Sequence, residues 1–176
     1  QRNELMASDD ISELLKDMRT DVVGQLVDEY IPPQSVPEQW DVEGLQKAID
    51  TEFSTQQDIQ KWLDEDDQLY EEQLKQKIDE ILSVNYQEKC AAVGEKMRAF
   101  EKQITLQILD GLWKDHLATM DHLRQGIFLR SYGGKNPRQE YKREAFALFQ
   151  DLMTNLQQEV VKVLSHVKIR QEDKVD

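Results

Sequence analysis

An all-α fold, a long antiparallel two-helix hairpin beside a compact bundle of shorter helices, is predicted by three observations. Apolar residues recur at helical intervals along most of the chain, capping residues stand where those runs begin, and helix breakers are few. Of seven Gly and four Pro in 176 residues, two Gly share one loop and two Pro are adjacent, so long uninterrupted helices are allowed.

In chain order, Gln1–Ala7 begins without a methionine or a cap and reads as the end of a helix cut from a longer protein. Ser8, Asp9 and Asp10 then offer an N-cap, with Asp10 and Glu13 at capping-box spacing. Ile11, Leu14, Leu15, Met18, Val22, Leu26, Val27 and Tyr30 mark the amphipathic helix that follows, and Pro32-Pro33 ends it. Asp41 is placed to cap a short helix carrying Leu45, Ala48, Ile49 and Phe53, and Asp58 another carrying Ile59, Trp62 and Leu63. Trp40 and Trp62 read as core anchors of this part, against the alternative of an aromatic docking patch. Asp64-Glu65-Asp66-Asp67 lacks the glycine and spacing of a calcium loop and reads as a solvated turn. From Leu69 the pattern resumes through Leu74, Ile78, Leu82, Tyr86, Cys90 and Met97 into the hairpin, with Gly94 as the expected break.

The hairpin occupies Ile104 to Ile169. Its first arm carries Ile104, Ile108, Leu112, Leu117, Met120, Leu123 and Ile127; its second carries Tyr141, Ala145, Leu148, Leu152, Leu156, Val160, Val163 and Val167. Each apolar stripe is expected to find a partner surface. Gly133 and Gly134 favour a chain reversal after Arg130, while Asn136 as N-cap, Pro137 at the first helical position and Gln139 at N3 start the return helix. A loop this short makes the arms antiparallel neighbours, roughly 40 and 48 Å long at the helical rise per residue.

The net charge of −13 argues against the whole molecule wrapping nucleic acid. Residues 1–100 hold 10 Lys/Arg against 24 Asp/Glu, a balance of −14, whereas residues 101–170 hold 11 against 8, a balance of +3. Between His122 and Arg143 the bases Arg124, Arg130, Lys135, Arg138, Lys142 and Arg143 face only Glu140, so the distal end of the hairpin is basic. Such a cluster is read either as a solvated helical face or, because it surrounds an exposed turn, as a docking surface. One cysteine, Cys90, excludes an internal disulfide and fits a reducing, cytoplasmic setting; no apolar run approaches the ~18 residues of a membrane span.

Catalytic chemistry finds little support. His116 and His122 lie six residues apart and do not share a helix face as a metal pair would. Asp115-His116 is joined by no nucleophile motif, and Gly133-Gly134 has neither the sequence nor the preceding strand of a phosphate-binding loop. No cofactor and no metal are expected in this chain, which does not read as an enzyme.

Three stretches carry a family resemblance: Leu112-Trp113-Lys114-Asp115-His116-Leu117, Met120-Asp121-His122-Leu123-Arg124-Gln125-Gly126-Ile127, and Asn136-Pro137-Arg138-Gln139-Glu140-Tyr141-Lys142-Arg143-Glu144. With Tyr30-Ile31-Pro32-Pro33-Gln34-Ser35 and Trp40-Asp41-Val42-Glu43-Gly44-Leu45, they resemble the C-terminal region of the SecA family of bacterial preprotein translocase ATPases. The resemblance covers nearly all the chain. It implies that residues 1–7 end the long helix of the helical scaffold domain, 8–94 form the helical wing domain, 95–170 the scaffold's two-helix finger, and 171–176 a disordered tail.

The family's nucleotide-binding domains, which take ATP and Mg, its preprotein cross-linking domain and its zinc-binding tail have no counterpart here. By the resemblance the finger regulates ATP hydrolysis by those domains of the same parent protein and reaches the SecY channel. Its tip tyrosine, matched by Tyr132, contacts the unfolded preprotein, and Arg130, Lys135 and Arg138 are candidate channel contacts. The resemblance further implies a parent peripherally associated with the inner face of the plasma membrane and capable of forming a homodimer. A helical adaptor that dimerises through its stripes without touching substrate is the alternative.

Overall fold

The computed structural model describes residues 10–130 and 136–167, the side chains of 128 and 130 excepted. The expectations for residues 1–7, for the turn residues Ser131–Lys135 and for the tail 171–176 lie outside the described residues. Among the described residues six α-helices follow one another: α1 Ser12–Tyr30, α2 Val42–Phe53, α3 Ile59–Glu65, α4 Glu71–Val93, α5 Lys96–Arg130 and α6 Pro137–His166. A 3-10 turn at Pro37–Gln39 precedes α2, and no strand occurs among the described residues. The protein is all-α.

These residues divide into two compact units, one of 10–102 with 161–167 and the other of 103–160. The division leaves the opening turns of α5 and the last turn of α6 with the first unit.

Local chemistry accounts for the boundaries of the first unit. Asp10 Oδ1 accepts at 2.9 Å from the amide of Ser12, the first residue of α1, so the capping box expected with Glu13 is replaced by a turn that starts the helix at Ser12. Asp41 and Asp58 cap α2 and α3 as read from sequence, accepting from the Gly44 amide at 2.9 Å and the Lys61 amide at 3.1 Å. Gly44 is required by close approach, since a Cβ there would lie 2.8 Å from the Tyr30 ring. Gly94 ends α4 with φ +84, a backbone region that side chains rarely occupy, and α5 begins two residues later.

Helix α1 packs on α2 and α4, and α2 packs on α3. The core uses Leu15, Met18, Val22, Val23, Val27 and Ile31 of the first helix and its end, with Leu45, Ile49, Ile59, Leu74 and Ile78 from the others. The two tryptophans are not core anchors. Both are half-buried: Trp40 donates to Ser35 Oγ at 3.0 Å, and Trp62 lies 4.6 Å beneath the Lys77 ammonium, so their apolar bodies cover the unit from outside while their polar or cation-facing surfaces stay wet.

A line of buried polar groups crosses the apolar core. The Arg19 guanidinium of α1 lies 4.5 Å from the centre of the Tyr86 ring of α4 and reaches Ser83 Oγ at 3.4 Å. The Tyr86 hydroxyl donates to Glu101 Oε2 of α5 at 2.6 Å, and Arg98 donates to Glu101 Oε1 at 2.8 Å. Glu101 is wholly buried. Desolvation pushes its carboxyl above the ordinary 4.5, against the opposing pull of Tyr86 and Arg98, and pushes the Tyr86 phenol up as well.

The last turn of α6 is tied into the same unit. His166 Nε2 lies 2.7 Å from the Thr51 carbonyl oxygen, Lys89 Nζ donates to the Ser165 carbonyl at 2.7 Å, and Lys162 sits 3.9 Å from Glu52. The second helix of the hairpin ends at His166.

Two measurements test this core. Tyr86→Phe removes a hydrogen bond to a buried carboxylate and is expected to lower unfolding free energy in urea by about 1.5–3 kcal/mol. With the folded-state pKa of Glu101 raised, the native chain holds a proton that the unfolded chain releases in the window just above 4.5. Stability contributed there falls as pH rises through that window, by about 1.4 kcal/mol per unit of elevation. Wild type should thus lose stability relative to Glu101→Gln on going from pH 4.5 to 7; a pH-independent difference contradicts the assignment.

Candidate functional site

The second unit consists of residues 103–130 of α5 and 137–160 of α6. The return helix starts where its cap requires: the Arg138 amide donates to Asn136 Oδ1 at 3.0 Å and the Glu140 amide to the Asn136 carbonyl at 3.1 Å, with Pro137 at the first position, where no amide is needed. The helices run antiparallel, as the approach of His116 on α5 to Phe149 on α6 and of the segment 107–115 to 155–159 requires.

Tyr132 and Lys135 lie outside the described residues; Arg130 is the last residue of α5, its side chain likewise outside them. Arg138 is exposed in the first turn of α6. The structure modifies the picture of a cluster opposed by one acid. Arg143 is paired with Glu140 at 2.6 Å, and Arg124 stands 3.8 Å from Asp121, which lies just before the counted stretch. Arg138 and Lys142 are then the exposed bases of the described tip that pair with no carboxylate among the described residues. Exposed pairs at this spacing contribute little to stability.

The stripe expected to bury the first arm is buried at Ile127, but over the opening turns of the arm it is displaced. Met97, Glu101, Thr105 and Leu109 are the buried positions along this part of α5, one per turn, while Ile104, Ile108 and Leu112 are half-buried. On α6 burial falls on Leu152, Leu156 and Val160, as read, and also on Val161 and Leu164, while Val163 and Val167 are half-buried. Farther along, the helices are parted by a groove of about 630 Å³ whose lining includes Gln107, Gly111, Asp115, Asn155 and Glu159.

The feature that sequence reasoning missed is an exposed aromatic face. Trp113 (38% exposed), Leu117 (50%), Phe146 (63%) and Phe149 (44%) remain in contact with solvent. His116 joins the two helices across this face, its ring 5.4 Å from that of Trp113 and 6.3 Å, edge-on, from that of Phe149. That contact answers the question of His116: it is an aromatic spacer. Trp113 and Leu117 are four apart, Phe146 and Phe149 three apart, so each arm exposes apolar residues at helical spacing, Leu117 from the stripe read for the first arm and the other three outside the stripes. That spacing is the signal by which the face could have been found.

Among the described residues, no group of three or more His, Cys, Asp or Glu side chains is arranged to hold a metal ion, and no helix is long and apolar enough to cross a membrane. Among the described residues, the second unit presents exposed apolar side chains together with the exposed bases Arg138 and Lys142.

Since exposed residues stabilise little and buried ones much, the face separates from the core by mutation. Phe146→Ala should change unfolding free energy by less than about 0.5 kcal/mol. Leu156→Ala should cost about 2–5 kcal/mol in the same denaturation series.

The sequence matches the SecA wing and scaffold domain family over residues 1–168. Curated relatives include the protein translocase subunit SecA of Pseudomonas syringae pv. syringae strain B728a, 54% identical over 173 residues that cover 98% of this chain. The protein translocase subunits SecA of Stutzerimonas stutzeri A1501 and Pseudomonas putida W619 are 52% and 50% identical, over 98% and 99% of the chain. The chain spans about 19% of the length of each of these relatives.

Proposed function

From the premise that the chain belongs to the SecA wing and scaffold domain family, we propose that it is a non-catalytic mechanical and regulatory module of a protein-translocation motor. In this reading the turn between α5 and α6 contacts the SecY channel and the unfolded preprotein, with Tyr132 pressing on the moving chain and Arg130, Lys135 and Arg138 meeting the channel. The helices themselves pass the state of the finger to the nucleotide-binding domains of the same parent protein, which supply ATP hydrolysis. The parent works in the cytoplasm at the inner face of the plasma membrane.

The observation that carries the reading is the aromatic face of the second unit. Trp113, Leu117, Phe146 and Phe149 are exposed, and apolar surface of this kind is retained where another surface docks on it. Trp and Phe supply much contact area with few rotatable bonds, so docking costs little side-chain entropy. A phenol at the turn suits the substrate side of the task, because it packs against any side chain and hydrogen-bonds to backbone without demanding a sequence.

The same exposed face favours a second reading, a helical adaptor that self-associates through it and touches no substrate. Sedimentation of the 176-residue chain separates the two: a monomer at micromolar concentration leaves the adaptor without support.

In the assembled motor, Tyr132→Ala or Tyr132→Gly should impair translocation while changing the stability of the chain by less than about 0.5 kcal/mol. Photo-crosslinking from position 132 in the full-length protein should capture both the channel and the precursor. Normal translocation by both variants would overturn the assignment of the tip.

A further inference from the structure

A second feature, in the first unit and separate from the aromatic face, is a cavity of about 260 Å³ bordered by Arg19, Ser54, Thr55, Asn85, Glu88 and Lys89 among others. Its floor is an unusual cation. Arg19 is 7% exposed, yet among the described residues it pairs with no carboxylate; its contacts are Ser83 Oγ at a long 3.4 Å and the face of Tyr86. A guanidinium has five N–H donors, so most of its capacity is unspent inside the protein. Of the nearby acids, Glu101 Oε1 and Oε2 accept from Arg98 and Tyr86, and Asp79 Oδ2 accepts from Thr20 at 2.9 Å while its Oδ1 is buried without a hydrogen bond among the described residues; both act on Arg19 as charges without pairing with it.

A second cation faces the same space. Lys89 is half-buried and donates to the Ser165 carbonyl alone, leaving two of three ammonium protons for another acceptor. Burial holds both Arg19 and Lys89 below their usual values, for Arg19 against the opposing pull of Asp79 and Glu101. Beside the apolar Phe53 and Leu82, the neutral lining includes groups able to donate. The Gln57 amide donates to Thr55 Oγ1 at 2.9 Å, which leaves the Thr55 hydroxyl proton free to point outward, and the side chains of Ser54 and Asn85 make no hydrogen bond among the described residues. Against two cations stands one carboxylate, Glu88, which is exposed.

We propose that this cavity is a binding site for a small oxyanion, a phosphate or a carboxylate, held by the Arg19 guanidinium and the Lys89 ammonium with Ser54, Thr55 and Asn85 as neutral donors. A buried guanidinium without a carboxylate is costly unless an anion joins it, and an oxyanion accepting two parallel N–H bonds is the geometry an arginine fork fits best. Bound there, it would bridge α1 and α4 to the segment after α2, so occupancy would stiffen the first unit.

The test is titration of the full 176-residue chain with inorganic phosphate, and separately with acetate, at constant ionic strength set by chloride, followed by calorimetry and thermal unfolding. Saturable heat and a saturable rise in Tm are expected with one or both, their ratio telling phosphate from carboxylate. Arg19→Gln should weaken binding by about tenfold or more, as loss of a charge-assisted fork does. Glu88→Gln, an exposed change that spares the fold, should tighten it by about twofold to fivefold through loss of repulsion. If Arg19→Gln does not fold, Glu88→Gln together with Lys89→Gln, which should weaken binding, carries the test. No saturable effect beyond chloride, or affinities unmoved by these variants, overturns the proposal.

Discussion

The hydrogen bond from Tyr86 to the buried carboxylate of Glu101 is the constraint on which the first unit turns. It joins α4 to α5 just after the chain reverses at Gly94, and through the Tyr86 face it also positions Arg19 of α1. A buried carboxylate is tolerated only when its oxygens are satisfied, and here one accepts from a phenol and the other from Arg98. Apolar packing would let α4 and α5 slide by a turn with modest loss. A directional pair at 2.6 Å admits one register, which is how a few polar groups specify a core that Leu, Ile and Val fill without prescribing.

What the sequence made legible was local. Asp41, Asp58 and Asn136 announce their helices because a short side chain reaching an amide two or three residues on needs nothing from the rest of the protein, and Gly94 announces a break because its conformation excludes other residues. The family words in 112–144 were legible for another reason, as long strings in order. Burial was not. An apolar stripe says that a face is able to be covered, without saying which of two adjoining rows is chosen. Met97, Glu101, Thr105 and Leu109 were chosen over Ile104 and Ile108, and Trp40 and Trp62 were left at the edge. Glu101 and Arg19 gave no signal at all, because a buried ionised side chain is defined by partners on other helices.

The two units answer to different pressures. In the first, capped short helices and a polar line fix one arrangement; in the second, two long helices share a thin apolar contact, a groove and an uncovered aromatic row. The exposed aromatic side chains Trp113, Phe146 and Phe149 belong to the latter, whose own buried row is Leu152, Leu156 and Val160.

The return of α6 to the first unit has a consequence for the order in which the chain folds. Tyr86 finds Glu101 across 15 residues, but His166 meets Thr51 across 115 and Lys89 meets Ser165 across 76. Short loops close early and long ones late, so the α4–α5 reversal forms fast and the end of α6 arrives last. On a ribosome, where the N-terminal side emerges first, the first unit waits with its closing turn missing until residue 166 has left the tunnel. Its completion is thereby made contingent on the whole hairpin having been synthesised, and a chain truncated within the second unit cannot finish the first.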